Sequence, residues 1–393
     1  MALIAILFLL ASPGAAQKPA DLTAVMTRIE GQVTLSPEGR EQFRSVRRAA
    51  LRQVIRRGEN VHLPAGARVE LICSTENLVS LNGPMDWVLD ATACGRGLVL
   101  PESSYQNSVP HAGRLLPRNG ALLLEFETRN GDGNLGPVLL SPRNTAVLDP
   151  RPVLVWTRVP DAIEYEIALR GPVAASIHVA AEDLHCGHGS GPWHDLDICS
   201  WAPSGKWPSL EPEKSVSLRI GYRQALAASL REAREVYEIH LFSVNDQSIV
   251  QERLRRIATL PMDKASRLLL AAGAYAQGGL YADAIAAYDE ALKDQEVPEA
   301  RVTLGDLYLT IGLTALADRE YRQVLAGTPD LAAQAAAELG LGQVAYIRKL
   351  FSDARARFEH ARDLYATLGL SAEAEEAREA AVLVQDQSGN DLP

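Results

Sequence analysis

The chain has 393 residues, of which 47% are hydrophobic and 22% charged, and a formal net charge of −10. Such a composition excludes a disordered chain, and the length leaves room for two or three globular units. The acidic balance excludes nucleic acid as a partner, since that would require a basic face.

Met1 to Gln17, MALIAILFLLASPGAAQ, carries an apolar run too short to span a bilayer, then small residues that suit cleavage after Ala16. Residues 1–16 are therefore expected to be a signal peptide, and the rest to be periplasmic or secreted. The alternative is an uncleaved membrane anchor, because no Lys or Arg precedes the apolar run. No Cys precedes Cys73, so a lipid anchor is not indicated.

Residues 23–100 alternate apolar and polar positions between turn signals, as in TAVMTRIEGQVTL and VHLPAGARVELICS, which predicts a small all-β domain. With Gly31, Gly58, Glu59, Gly66, Val69 and Leu81 at its turn and strand positions, the stretch resembles the FecR domain. That resemblance implies an extracytoplasmic β module; the sigma-factor-binding segment and membrane span of FecR regulators have no counterpart, so iron signalling is not carried over. FRSVRRAALRQVIRR, between Phe43 and Arg57, concentrates positive charge. It suits either contact with anionic lipid or polysaccharide, or a solvated face whose Arg stems cover apolar surface.

Residues 101–137 read as a connector hairpin around NGDGN. An EF-hand counted from Asn130 would place Leu135 and Ser141 where Gly and Glu are needed, so the turn is assigned to backbone geometry and not to calcium. Residues 138–245 form a second alternating region with Pro-rich corners. Trp156, Ala162, Tyr165 and Ile167, with LEPEKSVSLRI further on, resemble an immunoglobulin or fibronectin type III sandwich, although Val216 stands where an aromatic is usual. Trp156 would be its buried strand aromatic.

Four cysteines fall into two local pairs, Cys73 with Cys94 and Cys186 with Cys199. In an exported chain they are expected to form disulfides, the local pairing being the simplest of three, and closing the first loop would contribute roughly 3 kcal/mol. His185, Cys186, His188, His194 and Cys199 are also the residue types of a tetrahedral zinc site, at a spacing that matches no standard pattern. No cofactor, metal or catalytic residue is expected: Gly205-Lys206 is followed by Trp207, which excludes a P-loop, and G-x-S-x-G is absent. A hydrolase built on the His-rich insertion is the enzymatic alternative.

Residues 246–264 show helical periodicity, with Asp246 or Ser248 as cap and Leu254, Ile257 and Ala258 as packing positions. Beyond them one pattern recurs three times at about 34 residues, the period of a helix-turn-helix array. Ala272, Gly305 and Gly342 are equivalent, as are Ala284, Ala317 and Ala354, and Tyr288, Tyr321 and Phe358. Gly or Ala lets two helices approach closely, and the aromatic fills the space beside the contact. Residues 265–370 thus resemble tetratricopeptide repeats, and residues 371–393 read as a capping helix and tail.

In that family the first helix of each pair lines a groove. Carried over by position, the lining is Leu269, Gly273, Ala276 and Gln277; Val302, Asp306, Leu309 and Thr310; and Leu339, Gln343, Tyr346 and Ile347. Without Lys, Arg and Asn there, a carboxylate clamp is not implied; an extended apolar segment or a helix of a partner protein is. The competing expectation is that the protein's own capping helix covers this lining. The fold expected is multidomain and mixed, two small all-β domains followed by an all-α repeat array. The function expected is a non-enzymatic scaffold or adaptor of the bacterial envelope, with binding of cell-wall glycan or a lipid surface through the FecR-like domain as the alternative.

Overall fold

The computed structural model describes residues 23–36, 47–48, 54–56, 58–73, 78–90, 136–203, 205, 207–225, 230, 236–260, 262–293, 296–327 and 329–388. The expected signal peptide, nearly all of the connector hairpin, Cys94 and much of the basic stretch lie outside them. Within them the chain is β-structured first and ends in a helical array.

The first β unit contains β1 (Thr23–Glu30), β2 (Thr34–Ser36), β3 (Arg47–Arg48), β4 (Val54–Arg56), β5 (Asn60–Leu63), β6 (Arg68–Cys73), β7 (Leu78–Asn82) and β8 (Met85–Val88). They form two four-stranded sheets, ordered β4-β1-β6-β7 and β3-β2-β5-β8. The period-2 pattern becomes one core, in which Met26, Val69 and Leu71 of one sheet meet Leu35, Val61 and Leu63 of the other. Pro64-Ala65-Gly66 turns β5 into β6, with the Ala67 amide donating to the Pro64 carbonyl (3.0 Å) and Gly66 at φ 80°, the left-handed position such a turn requires. Gly83 is fixed by contact instead: a Cβ there would lie 2.0 Å from the Pro64 carbonyl oxygen.

The second β unit contains β9 (Leu139–Ser141), β10 (Thr145–Val147), β11 (Leu154–Thr157), β12 (Ala162–Arg170), β13 (Ala175–Ala180), β14 (His185–His188), β15 (Asp197–Trp201), β16 (Ser215–Gln224) and β17 (Tyr237–Leu241). Its sheets are ordered β10-β17-β16-β12-β13 and β14-β15-β11-β9. They face each other across Trp156, Cys199, Ile167, Leu218 and Ile239. Trp156 is fully buried and meets Tyr165 edge-on at 5.4 Å between centroids. Such a pair contributes about 0.5–1.5 kcal/mol beyond its buried area.

His240 on β17 is buried, and its ring stands edge-on to Phe242. Desolvation holds its pKa below the ordinary 6.5, against the opposing pull of Asp246 and Glu213. Just below pH 6.5 the unfolded chain therefore binds more protons than the native one. This contribution is complete above the unfolded pKa and is lost as pH falls from there through the lower native pKa. His240→Gln is expected to flatten the difference in urea midpoint between about pH 7.5 and pH 5.5.

Eight helices follow among the described residues: α1 (Val244–Thr259), α2 (Lys264–Gln277), α3 (Tyr281–Leu292), α4 (Pro298–Thr310), α5 (Thr314–Gly327), α6 (Leu331–Ile347), α7 (Phe351–Leu368) and α8 (Ser371–Ser388). The cap of α1 differs from the expected Asp246 or Ser248. Ser243 holds that place, its Oγ accepting from the Asp246 amide at 3.0 Å and donating to the Asp246 carboxylate at 2.8 Å, so the helix starts earlier. Ile257 packs inward as expected, Leu254 is half-buried and Ala258 is exposed.

Candidate functional site

The array is held by the small and aromatic residues that recur in the sequence. A Cβ on Gly305 would lie 2.6 Å from the Tyr321 ring, one on Gly340 2.3 Å from the same ring, and one on Gly342 2.4 Å from Phe358. Tyr321 on α5 is thus clamped between α4 and α6, and its hydroxyl donates to Asp306 at 2.6 Å. Burial, with the Asp306 charge adding to it, raises this phenol far above its ordinary range.

Each helical hairpin turns through one residue with positive φ: Gly279 (72°), Gly312 (82°) and Lys349 (58°). The first two turns are docked on the second β unit. At the first, the Thr145 hydroxyl donates to the Gly279 carbonyl (2.9 Å) and accepts from the Tyr281 amide (2.8 Å), while the Ala146 amide donates to the same carbonyl (3.0 Å). Because α3 has no side-chain cap of its own, Thr145 supplies one from another part of the chain. At the second, the buried guanidinium of Arg143 donates to the Ile311 carbonyl (2.6 Å) and the Gly312 carbonyl (3.5 Å), and also to Leu139 (3.2 Å). It stacks over Tyr237 at 4.7 Å. A cation at the carbonyl end of α4 also meets the negative end of the helix dipole. Val138, Leu140 and Trp193 complete the junction by joining the hydrophobic core of α2 to α6.

This docking divides the expected groove lining. Leu269, Val302 and Leu309 are buried within that shared core, at 5%, 4% and 6% exposure. Gln277 is exposed and accepts from Arg253 at 3.0 Å, and Asp306 holds Tyr321. On α6, Leu339, Gln343, Tyr346 and Ile347 are only half-buried. The third turn is exposed at Lys349 and Leu350, and Tyr346 meets Phe351 beside it with ring centroids 5.8 Å apart. Where the sandwich approaches the backbone the αL residue is Gly; at the open turn a Lys stands there. Lys349→Gly is expected to raise stability by about 0.5–1 kcal/mol in urea unfolding, by relieving the strained αL backbone.

Sequence reading missed the ion pairs between paired helices. Arg301 on α4 donates to Glu320 on α5 (2.6 Å), and Arg357 on α7 donates to Glu338 on α6 (2.8 Å). Both pairs are 19 residues apart, and their positions correspond between repeats with the charges exchanged. Glu320 is also bound by Arg319, whose other nitrogen reaches Asp195 of the β unit at 2.7 Å. The signal available in the sequence was this reversal at matched positions. Arg301→Glu is expected to destabilise by about 2 kcal/mol, and Glu320→Arg in the same chain to return part of it; a double-mutant cycle should show about 1 kcal/mol or more of coupling.

The insertion between β14 and β15 is closed by the Cys186–Cys199 disulfide, across directly paired residues of the two strands. Cys73 is also disulfide-bonded, while Cys94, its expected partner, lies outside the described residues. The thiols of the alternative zinc set are thereby occupied, and His188 and His194 face Asp197 and Asp195 separately. Among the described residues no group of three or more His, Cys, Asp or Glu converges as a metal site. The insertion instead presents Trp193 to Tyr308 of α4, at 6.1 Å between centroids.

No helix of the described residues is long and apolar enough to cross a membrane. No family model and no curated protein matches the chain. Among solved structures, the crystal structure of BtubC (BKLC) from P. vanneervenii is similar over 38% of this chain and 75% of that one, at 18% identity and a TM-score of 0.26. So low a score carries no weight for fold or function.

Proposed function

We propose that this chain is an extracytoplasmic scaffold that binds a partner protein through the third helical pair of its array. In this reading the first β unit is FecR-like, the second an immunoglobulin or fibronectin III-like sandwich, and the helices a short tetratricopeptide array. The observation that carries it is the division of the array: two turns are docked on the sandwich, while Gln343, Tyr346 and the turn at Leu350, 53% exposed, remain open. An apolar edge of this kind on a rigid support suits an extended apolar segment or a helix of the partner. Export is supported by the cysteines, since Cys186–Cys199 and the bonded Cys73 fit an oxidising compartment.

Gln343→Arg with Tyr346→Arg tests the proposal by co-purification from a native envelope fraction. The partner should be lost while helical ellipticity shows the array still folded, at the cost of the Tyr346 contact with Phe351. Retention of every partner overturns it. Retention of the full chain on isolated wall material, indifferent to both substitutions, transfers the binding role to the first β unit.

A further inference from the structure

Outside the array, three polar side chains meet on the outer face of the sheet β3-β2-β5-β8. Alternation directs Leu35, Val61 and Leu63 into the core, which leaves Ser36, His62 and Asp86 on the opposite face. His62 and Asp86 are direct cross-strand partners, and Ser36 is diagonal to His62, since Thr34 pairs with His62 and Ser36 with Asn60. The Ser36 Oγ lies 2.6 Å from Nε2 of His62, and Nδ1 of the same ring lies 2.6 Å from Oδ1 of Asp86. A carboxylate only accepts, so Nδ1 carries the proton; in the neutral ring Nε2 then accepts from the serine hydroxyl.

We propose that Ser36, His62 and Asp86 form a nucleophilic serine site that cleaves small activated acyl esters, an activity beyond the scaffold role. This constellation is recognised by geometry and roles, not by chain order or spacing. Ser36 would attack the acyl carbon as its proton passes to Nε2 of His62. The bond to the leaving alcohol then breaks, and the imidazolium returns that proton to the departing oxygen. Water attacks the seryl ester in turn, giving its proton to Nε2, and the proton returns to Oγ as the acid leaves. Asp86 touches no reacting atom; it is a positioning residue that fixes the ring's tautomer and offsets its charge. The substrate is small because Ser36 is only 5% exposed, whereas the side chains of His62 and Asp86 are 35% and 75% exposed. Entry is therefore over the imidazole. A good leaving group is needed because the triad supplies proton transfer and nucleophile alone.

The test uses the full, disulfide-bonded chain with diisopropyl fluorophosphate. The Oγ–P bond forms, the P–F bond breaks, fluoride leaves and His62 takes the proton. Peptide mass spectrometry should find one adduct, on Ser36, and none in Ser36→Ala. His62→Gln should slow labelling by about 100-fold or more. Asp86→Asn should slow it and displace its pH profile, and Asp86→Glu should restore part of the rate. Hydrolysis of p-nitrophenyl acetate should follow the same order. No adduct on Ser36 of the folded chain, or a rate indifferent to His62→Gln, overturns the proposal. Should a variant lose its fold, the parent decides alone: labelling of Ser36 must stop when the chain is unfolded in urea, and an adduct formed as fast on the unfolded chain is equally fatal.

Discussion

Arg143→Ala is expected to lower the unfolding free energy by about 3 kcal/mol, since hydrogen bonds to a charged donor contribute about 1.5–3 kcal/mol and the buried carbonyls it serves are left without one. The guanidinium is 3% exposed and serves carbonyls from two regions of the chain, Leu139 beside it and Ile311 and Gly312 at the end of α4. Its loss leaves buried carbonyl oxygens without that donor and a void against Tyr237. Arg143→Lys should recover little, because an ammonium cannot fork between these acceptors. Urea titration followed both by helical ellipticity and by tryptophan fluorescence is the appropriate measurement, since Trp193 stands at the junction. The two signals should separate in the variant; a loss below about 1 kcal/mol with coincident signals would show that the junction does not depend on Arg143.

Gly340→Val is expected to cost about 3 kcal/mol or more, at the upper end of overpacking effects. The first added carbon would already stand 2.3 Å from the Tyr321 ring, and Tyr321 cannot withdraw because Gly305 closes on it from α4. Its hydroxyl is tied to Asp306 as well. The helices themselves must separate, so the loss should be shared by α4, α5 and α6. Tyr321→Ala added to Gly340→Val should cost less than the sum of the two single changes, since the second carbon chain enters the space vacated by the ring. Additive costs would mean that the ring and the glycine do not share one contact.

These two positions also show what was and was not legible in the sequence. Gly305, Gly342, Tyr321 and Phe358 stand out because close helix approach permits few residue types and the repeat presents them more than once. The strands were legible from their period-2 alternation, and the pair Cys186 and Cys199 from its local spacing. Arg143 was not: it reads as a polar loop residue, and its main partner is a main-chain carbonyl 168 residues away, which leaves no mark on residue type. Leu269, Val302 and Leu309 carry the same apolar signal whether they line an open groove or fill a core, so only the position of the sandwich distinguishes the two. Ser36, His62 and Asp86 lie 26 and 24 residues apart on separate strands, where strand register, not any local motif, brings them together.

In the proposed scaffold the sandwich takes two turns of the array and leaves the third pair for a partner. Site-specific photo-cross-linking tests it most directly, with the photoreactive residue at Tyr346 on α6 or, for comparison, at Val153, 50% exposed on the sandwich. In intact envelopes Tyr346 should give one dominant protein adduct and Val153 none. Adducts of equal yield from both positions, or none from Tyr346 when the partner co-purifies, would contradict it.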